Sequence, residues 1–253
     1  MRTLRYGATA TLVALFVCAG ALSGAARPAA PAPAPALQIP GITLRGDNTS
    51  WTIVVLLTLL TLLPALLLSM TPFVRILVIF HFLRHALGTQ GTPTNQTLIG
   101  LALFLTYFVM QPVGLAIQRD AVQPFENGSA TIWEAMDRGS APLRQFMLQY
   151  TREKDLALFV ELSRQPRPKT PEELPMRVVI PAYVISELKT GFQIGAILFL
   201  PFLIIDLVTA SVTTSIGMLQ LPPVVISTPL KILLFVVADG WNLVVGSTLR
   251  SFR

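Results

Sequence analysis

"TPLKILLFVVADGW", residues Thr228–Trp241, sets two opposite charges, Lys231 and Asp239, into a run otherwise suited to hydrocarbon. The surrounding segment Val224–Val245 holds about fifteen apolar residues, worth up to about −0.5 kcal/mol each on an insertion scale. One lysine and one aspartate near the centre cost about 2.5–3.5 kcal/mol apiece on that scale. The sum is near zero, so this helix is a poor resident of bare lipid. It needs protein around it.

Upstream, "MLQLPP" turns tightly back to a second apolar helix over 185–217, which carries Glu187, Lys189 and Asp206. Residues 118–184 change character: Trp133, Met136, Leu143, Phe146, Met147, Leu156, Phe159 and Val160 recur at helical spacing among charges. That pattern predicts short amphipathic helices in a small water-facing subdomain, with prolines 166, 168, 171 and 175 marking a loop. Leu98–Ile117 is an uncharged stretch of membrane-spanning length. Before it, Trp51–Met70 is equally uncharged, and "MTPF" starts a helix that stops at Gly88. "TPFVRILVIF" at Thr71 echoes "TPLKILLFVV" at Thr228; shared capping and a true repeat both produce such a match.

The first 26 residues have Arg2 and Arg5, an apolar core from Ala8 to Leu22, and small residues ending at Ala25 or Ala26, the three-part pattern of a cleavable signal. Residues 27–50 form a Pro/Ala-rich tether. The expected organisation is therefore all-α: signal 1–26, tether 27–50, a first apolar hairpin region 51–117, a water-facing helical segment 118–184, and a second apolar hairpin 185–253. Four long apolar helices, membrane-associated, make up the two hairpins.

Composition excludes several functions. Charged residues make up 13% of the chain and hydrophobic ones 53%, against about 25% charged in ordinary soluble domains. The net charge is +6, yet the basic residues form no dense stripe with interleaved aromatics, so nucleic acid is not an expected partner. The single cysteine, Cys18, leaves with the signal, so neither a disulfide nor a cysteine metal site is expected. No phosphate-binding loop and no His-Glu-x-x-His motif occur. His81 and His85 stand one turn apart without a third metal ligand, and Ser186 and Ser227 have no histidine within sequence reach. Neither enzymatic activity nor a cofactor is expected.

Three stretches carry a resemblance. They are residues 70–113, "MTPFVRILVIFHFLRHALGTQGTPTNQTLIGLALFLTYFVMQPV", residues 142–159, "PLRQFMLQYTREKDLALF", and the stretch from "PAYVISELKTGFQIG" at Pro181 to "DGWNLVVGS" at Ser247. Together they resemble the FliP/SctR family of type III secretion export-gate proteins over nearly everything after Trp51.

The resemblance implies a component of the flagellar basal body in the bacterial inner membrane, multi-pass, with a periplasmic mature N-terminus. It implies a pentamer joined by FliQ and FliR around a closed pore that passes unfolded flagellar subunits. The family's helix–helix and subunit charge contacts fall on Glu187, Asp206 and Lys231. Its pore-closing loop, a glycine, three methionines and a Pro-Pro, falls within 217–223 on Gly217, Met218, Leu219, Gln220, Pro222 and Pro223. Leu219 replaces one methionine by volume and Gln220 is polar, so the seal implied for this chain is not purely thioether-lined. Gly191 stands where the family usually has alanine, and His85 where it often has asparagine. The same component of a virulence injectisome is the nearest alternative, and a small-solute transporter or channel, which also uses intramembrane charges, is a more distant one.

Overall fold

In the computed structural model, residues 49–89, 91–163, 170–217 and 222–252 are described. The expected signal, nearly all of the tether, and Met218, Leu219 and Gln220 lie outside them. The described chain is helical, with no strand among the described residues. Helix α1 covers Thr49–Ser69 and α2 Phe73–Leu87, with a 75° bend at the intervening break. Helix α3, Asn95–Ile117, passes through one wider-wound turn, Gln118–Val122, into the short α4, Gln123–Glu126. Then come α5 (Ile132–Tyr150), α6 (Glu153–Leu162), α7 (Met176–Ser215), α8 (Pro223–Val237) and α9 (Gly240–Arg250).

Local chemistry explains most boundaries. The Thr94 hydroxyl accepts from Thr97 N and starts α3. Thr131 and Glu134 form a reciprocal capping box at the start of α5. Two boundaries differ from the sequence expectation. The long helix expected to begin at Ile185 begins at Met176 and runs 40 residues, with Pro181 and Pro201 inside it. Pro181 removes one N–H, but Val178, Val179, Ala182 and Tyr183 around it are buried, and that packing holds the helix across the proline. The final helix, expected to be continuous over Val224–Ser247, breaks at Ala238–Asp239 and bends by 67°. Asp239 sits at φ 50°, ψ 49°, in the left-handed region.

Within residues 58–253, α7 is the spine. Its buried positions from Val178 to Thr213 keep to one helical stripe, and the helix packs against α5, α6, α2 and α8. Contact with α2 is closest at Gly195, where an added methyl carbon would lie 2.5 Å from Phe82 Cγ. Only a residue without Cβ fits there. One apolar core gathers Ile76, Ile79, Phe80 and Leu83 of α2 with Leu98 and Ala102 of α3 and Phe202 of α7. A second sets Phe146 and Met147 of α5 against Val178, Val179 and Tyr183.

Two helices, Asn95–Glu126 and Met176–Ser215, are each long and apolar enough to cross a membrane, and each bent pair, α1–α2 and α8–α9, qualifies when taken together. Most of their apolar surface is uncovered: Phe104, Tyr107, Ile197, Leu207, Val236 and Val237 are all more than two-thirds exposed. Such continuous apolar exposure marks surface intended for lipid or for other chains.

Candidate functional site: ion pairs along the longest helix

Glu187 and Asp206 project from α7 nineteen residues apart, about 28 Å along the axis at 1.5 Å per residue. Each receives one cation from a different helix. Arg75 of α2 donates from Nη2 to Glu187 Oε1, and both side chains are almost completely buried. Lys231 of α8 donates to Asp206 Oδ2 at 2.5 Å, with the lysine buried and the aspartate about one-third exposed. The C-terminal end of α2 adjoins this second pair: a methyl added at Gly88 would sit 4.0 Å from Lys231 Nζ. The negative end of that helix dipole favours the ammonium.

Arg75 is the most connected of these charges. Its Nη1 donates to Ser251 O at 3.1 Å and Ser251 Oγ at 3.0 Å. The guanidinium carbon lies 4.0 Å from the Phe252 ring centre and 5.8 Å from that of Tyr150. Tyr150 Oη in turn donates to Phe252 O at 2.6 Å. Burial pushes the Tyr150 phenol up, so it keeps its proton and serves as that donor.

A third pair, Lys189 to Asp155, ties α6 to α7. Beside it Arg152 donates to Thr190 Oγ1 at 3.1 Å and to Gln193 Oε1 at 2.5 Å, while Arg152 N donates to Ser186 Oγ at 2.9 Å. Charged and polar side chains thus brace α7 against α2, α6 and α8.

At the far end of α7 the loop begins with Gly217 at φ 80°, a backbone state costly for any side-chain-bearing residue. It ends with Pro222 extended at φ −61°, ψ 126° and Pro223 as the first residue of α8. Asp239, the second charge of the opening run, makes no ion pair among the described residues; it accepts from Asn242 Nδ2 at 3.1 Å and turns the chain.

Of the remaining sequence candidates, His85 is exposed on α2, while Ser186, Ser227 and His81 make polar contacts within the fold. Ser186 Oγ lies 3.3 Å from Tyr150 O, Ser227 Oγ 3.5 Å from Val224 O, and Arg84 Nη2 3.2 Å from His81 Nδ1. Sequence reasoning missed Arg75, Asp155, Ser251 and Phe252. Arg75 carried a usable signal: it interrupts "TPFVRILVIF" as Lys231 interrupts "TPLKILLFVV". Ser251 and Phe252 carried none, because their role depends on the bend at Asp239.

Fold and site together define an all-helical protein of membrane-length apolar helices cross-braced by buried ion pairs. Comparison with known sequences narrows this further. The chain belongs to the FliP family, whose profile matches residues 56–248. It is 51% identical over 228 residues to the flagellar biosynthetic protein FliP of Pectobacterium carotovorum subsp. carotovorum, covering 87% of this chain and 88% of that one. It is 48% identical over 208 residues to the protein of the same name in Bacillus subtilis, covering 81% and 94%. The Aquifex aeolicus protein of that name is 43% identical over 222 residues, covering 85% and 93%.

Proposed function

We propose that the chain is a membrane-associated component of the flagellar type III protein export gate, with a structural rather than a catalytic role. The observation that carries this reading is the family match over 56–248, which takes in every ion pair described above and the whole α7–loop–α8 hairpin. The relatives quoted above are flagellar biosynthetic proteins, which supports the flagellum over an injectisome.

On this reading several copies, five by family resemblance, assemble with FliQ and FliR. The uncovered apolar faces of α1, α3, α7 and α8 supply surface for that assembly. The 217–223 loops converge on the symmetry axis, where Met218 and Leu219 close the pore as an adaptable apolar ring. Glu187, Asp206 and Lys231 fix the helices that present the loop. The mature N-terminus, after signal removal, lies in the periplasm of an inner-membrane assembly.

Gene deletion tests the reading. Loss of motility and of secreted hook and filament subunits is expected, with recovery on re-expression of the full chain. Normal filament export in the deletion strain overturns it.

A further inference from the structure

We propose that α9 with Ser251 and Phe252 is a strap with two positions: closed over Arg75, as here, and open, with α8 and α9 continuing as one helix about a pivot at Asp239–Gly240. The pivot is narrow. Asp239 is the one non-glycine residue in the left-handed region among those described; Ala238 before it stands at φ −81°, ψ 4°, short of helical values, and Gly240 after it is already in α9. Ala238 N donates to Leu234 O at 2.9 Å, and Leu243 N donates to Asp239 O at 3.2 Å. Returning Asp239 to right-handed values, and turning Ala238 the rest of the way to helical ones, would join the two helices into one of twenty-eight residues, 223–250. Left-handed backbone is disfavoured for side-chain-bearing residues, and aspartate is one of the few types that visit it routinely.

Gly240 makes the bend sterically possible. An added methyl carbon there would lie 2.2 Å from the Phe235 ring, which fills the inside of the turn and stacks edge-on against Trp241 at 5.6 Å. Val244 and Thr248 of α9 are buried, Trp241 meets Phe80 edge-on, and at the closing end the polar ties gather around one cation. Ser251 supplies two acceptors to Arg75, Phe252 covers the guanidinium, and Tyr150 holds the Phe252 carbonyl. The closed state leaves two buried atoms of this cluster, Arg75 Nε and Glu187 Oε2, without hydrogen-bond partners. A bend that costs backbone energy and a clasp that leaves polar atoms unpaired offset part of what burying Val244, Thr248 and Phe252 contributes, which narrows the advantage of the closed state over the open one. Α9 itself is short, and opening through 67° carries its far end about 15–20 Å.

The test is a distance measurement by pulsed electron spin resonance on the purified full chain in detergent. Labels are placed on Glu153→Cys in α6 and Arg250→Cys in α9, both exposed, in a Cys18→Ser background. A short principal distance with a minor longer population is expected. Asp239→Gly should shrink the longer population about tenfold, because glycine enters the left-handed region freely. Asp239→Ala and Phe252→Ala should each enlarge it several-fold. One unchanged distance in all four proteins overturns the proposal and makes the bend a fixed feature. Failure of both alanine variants to fold also overturns it, since a strap that opens leaves the rest of the structure standing.

Discussion

Removing Arg75 or Glu187 singly, and then both together, separates charge compensation from simple packing. Both side chains are within 3% of full burial. Breaking a buried pair costs about 3–5 kcal/mol, because the surviving charge is left in a medium that solvates it poorly. The structure makes the two single changes unequal. Without Glu187, Arg75 still has Ser251 O, Ser251 Oγ and the Phe252 ring. Without Arg75, Glu187 keeps no hydrogen-bond partner among the described residues, and its Oε2 has none already.

Arg75→Met is therefore expected near the upper end, about 4–5 kcal/mol, and Glu187→Gln near about 2–3 kcal/mol. The double replacement Arg75→Met with Glu187→Met leaves neither charge and keeps comparable volume. It is expected within about 2 kcal/mol of wild type, since apolar substitutes for buried pairs are often neutral. Reversible unfolding in mixed micelles, followed by far-ultraviolet circular dichroism, reads these values. If the double variant loses as much as the two singles added together, the pair has no coupling and the reasoning fails. If Glu187→Gln proves costlier than Arg75→Met, the clasp formed by Ser251 and Phe252 contributes nothing to holding the cation.

Four further outcomes are expected. Asp206→Ala or Lys231→Ala should lower the yield of assembled gate more than the yield of protein, by co-purification, with partial recovery in the charge-swapped double variant. Gly195→Val should cost more than about 3 kcal/mol in the same unfolding assay, because its first carbon alone would sit 2.5 Å from Phe82. Lys154→Cys, on exposed α6, should react with a membrane-impermeant thiol reagent added from the periplasmic side; labelling only from the cytoplasm would reverse the proposed topology. Hydrogen bonds from Thr131 hold the Glu134 carboxyl below its ordinary range, so the capping box contributes stability above that range and loses it as pH falls through the lowered value; amide protection in the first turn of α5, taken relative to the unstructured exchange rate at the same pH, should fall there and stay constant between pH 6 and 8.

How far the sequence could be read depends on which interactions are local. Uncharged runs of hydrocarbon length and the Thr131–Glu134 cap are written in neighbouring residues, and the apolar helices followed from them. The turn between α7 and α8 was legible from Gly217 and the Pro222-Pro223 pair, but the start of α7 and the break between α8 and α9 were not, because they are decided by distant packing. Pro181 ends a helix in isolation, yet here its neighbours Val178, Val179 and Tyr183 are buried against Phe146 and Met147 of α5. Asp239-Gly240 reads as an ordinary interruption of an apolar run, and only the Phe235 ring lodged against Gly240 turns it into a corner. Among the candidate residues, the charges of α7 and α8 stood out because a charge in an apolar helix demands a partner. Asp206 and Lys231, on helices joined by one short turn, could be paired from the sequence, whereas Arg75 for Glu187 and Asp155 for Lys189 were decided in three dimensions.

The echo between Thr71 and Thr228 shows the difference most clearly. Shared helix starts do not explain it. Pro72 does stand at the start of α2, but Thr228 and Pro229 lie inside α8, where the Thr228 hydroxyl donates back to Val224 O at 2.8 Å. What the two segments share lies a few residues further on: a cation, Arg75 or Lys231, buried against a carboxylate of α7. The two pairs pin separate helices to one spine about 28 Å apart along its axis, one next to the helical middle segment and one towards the 217–223 loop. If both are needed to hold the spine's register, moving Asp206 one turn along α7, with Asp206→Ala and Ala210→Asp, should displace α8 or leave Lys231 unpaired. Gate assembly should then fall as far as in Asp206→Ala alone. Full assembly of the shifted variant would mean that any nearby carboxylate serves, and that the position of the pair sets nothing.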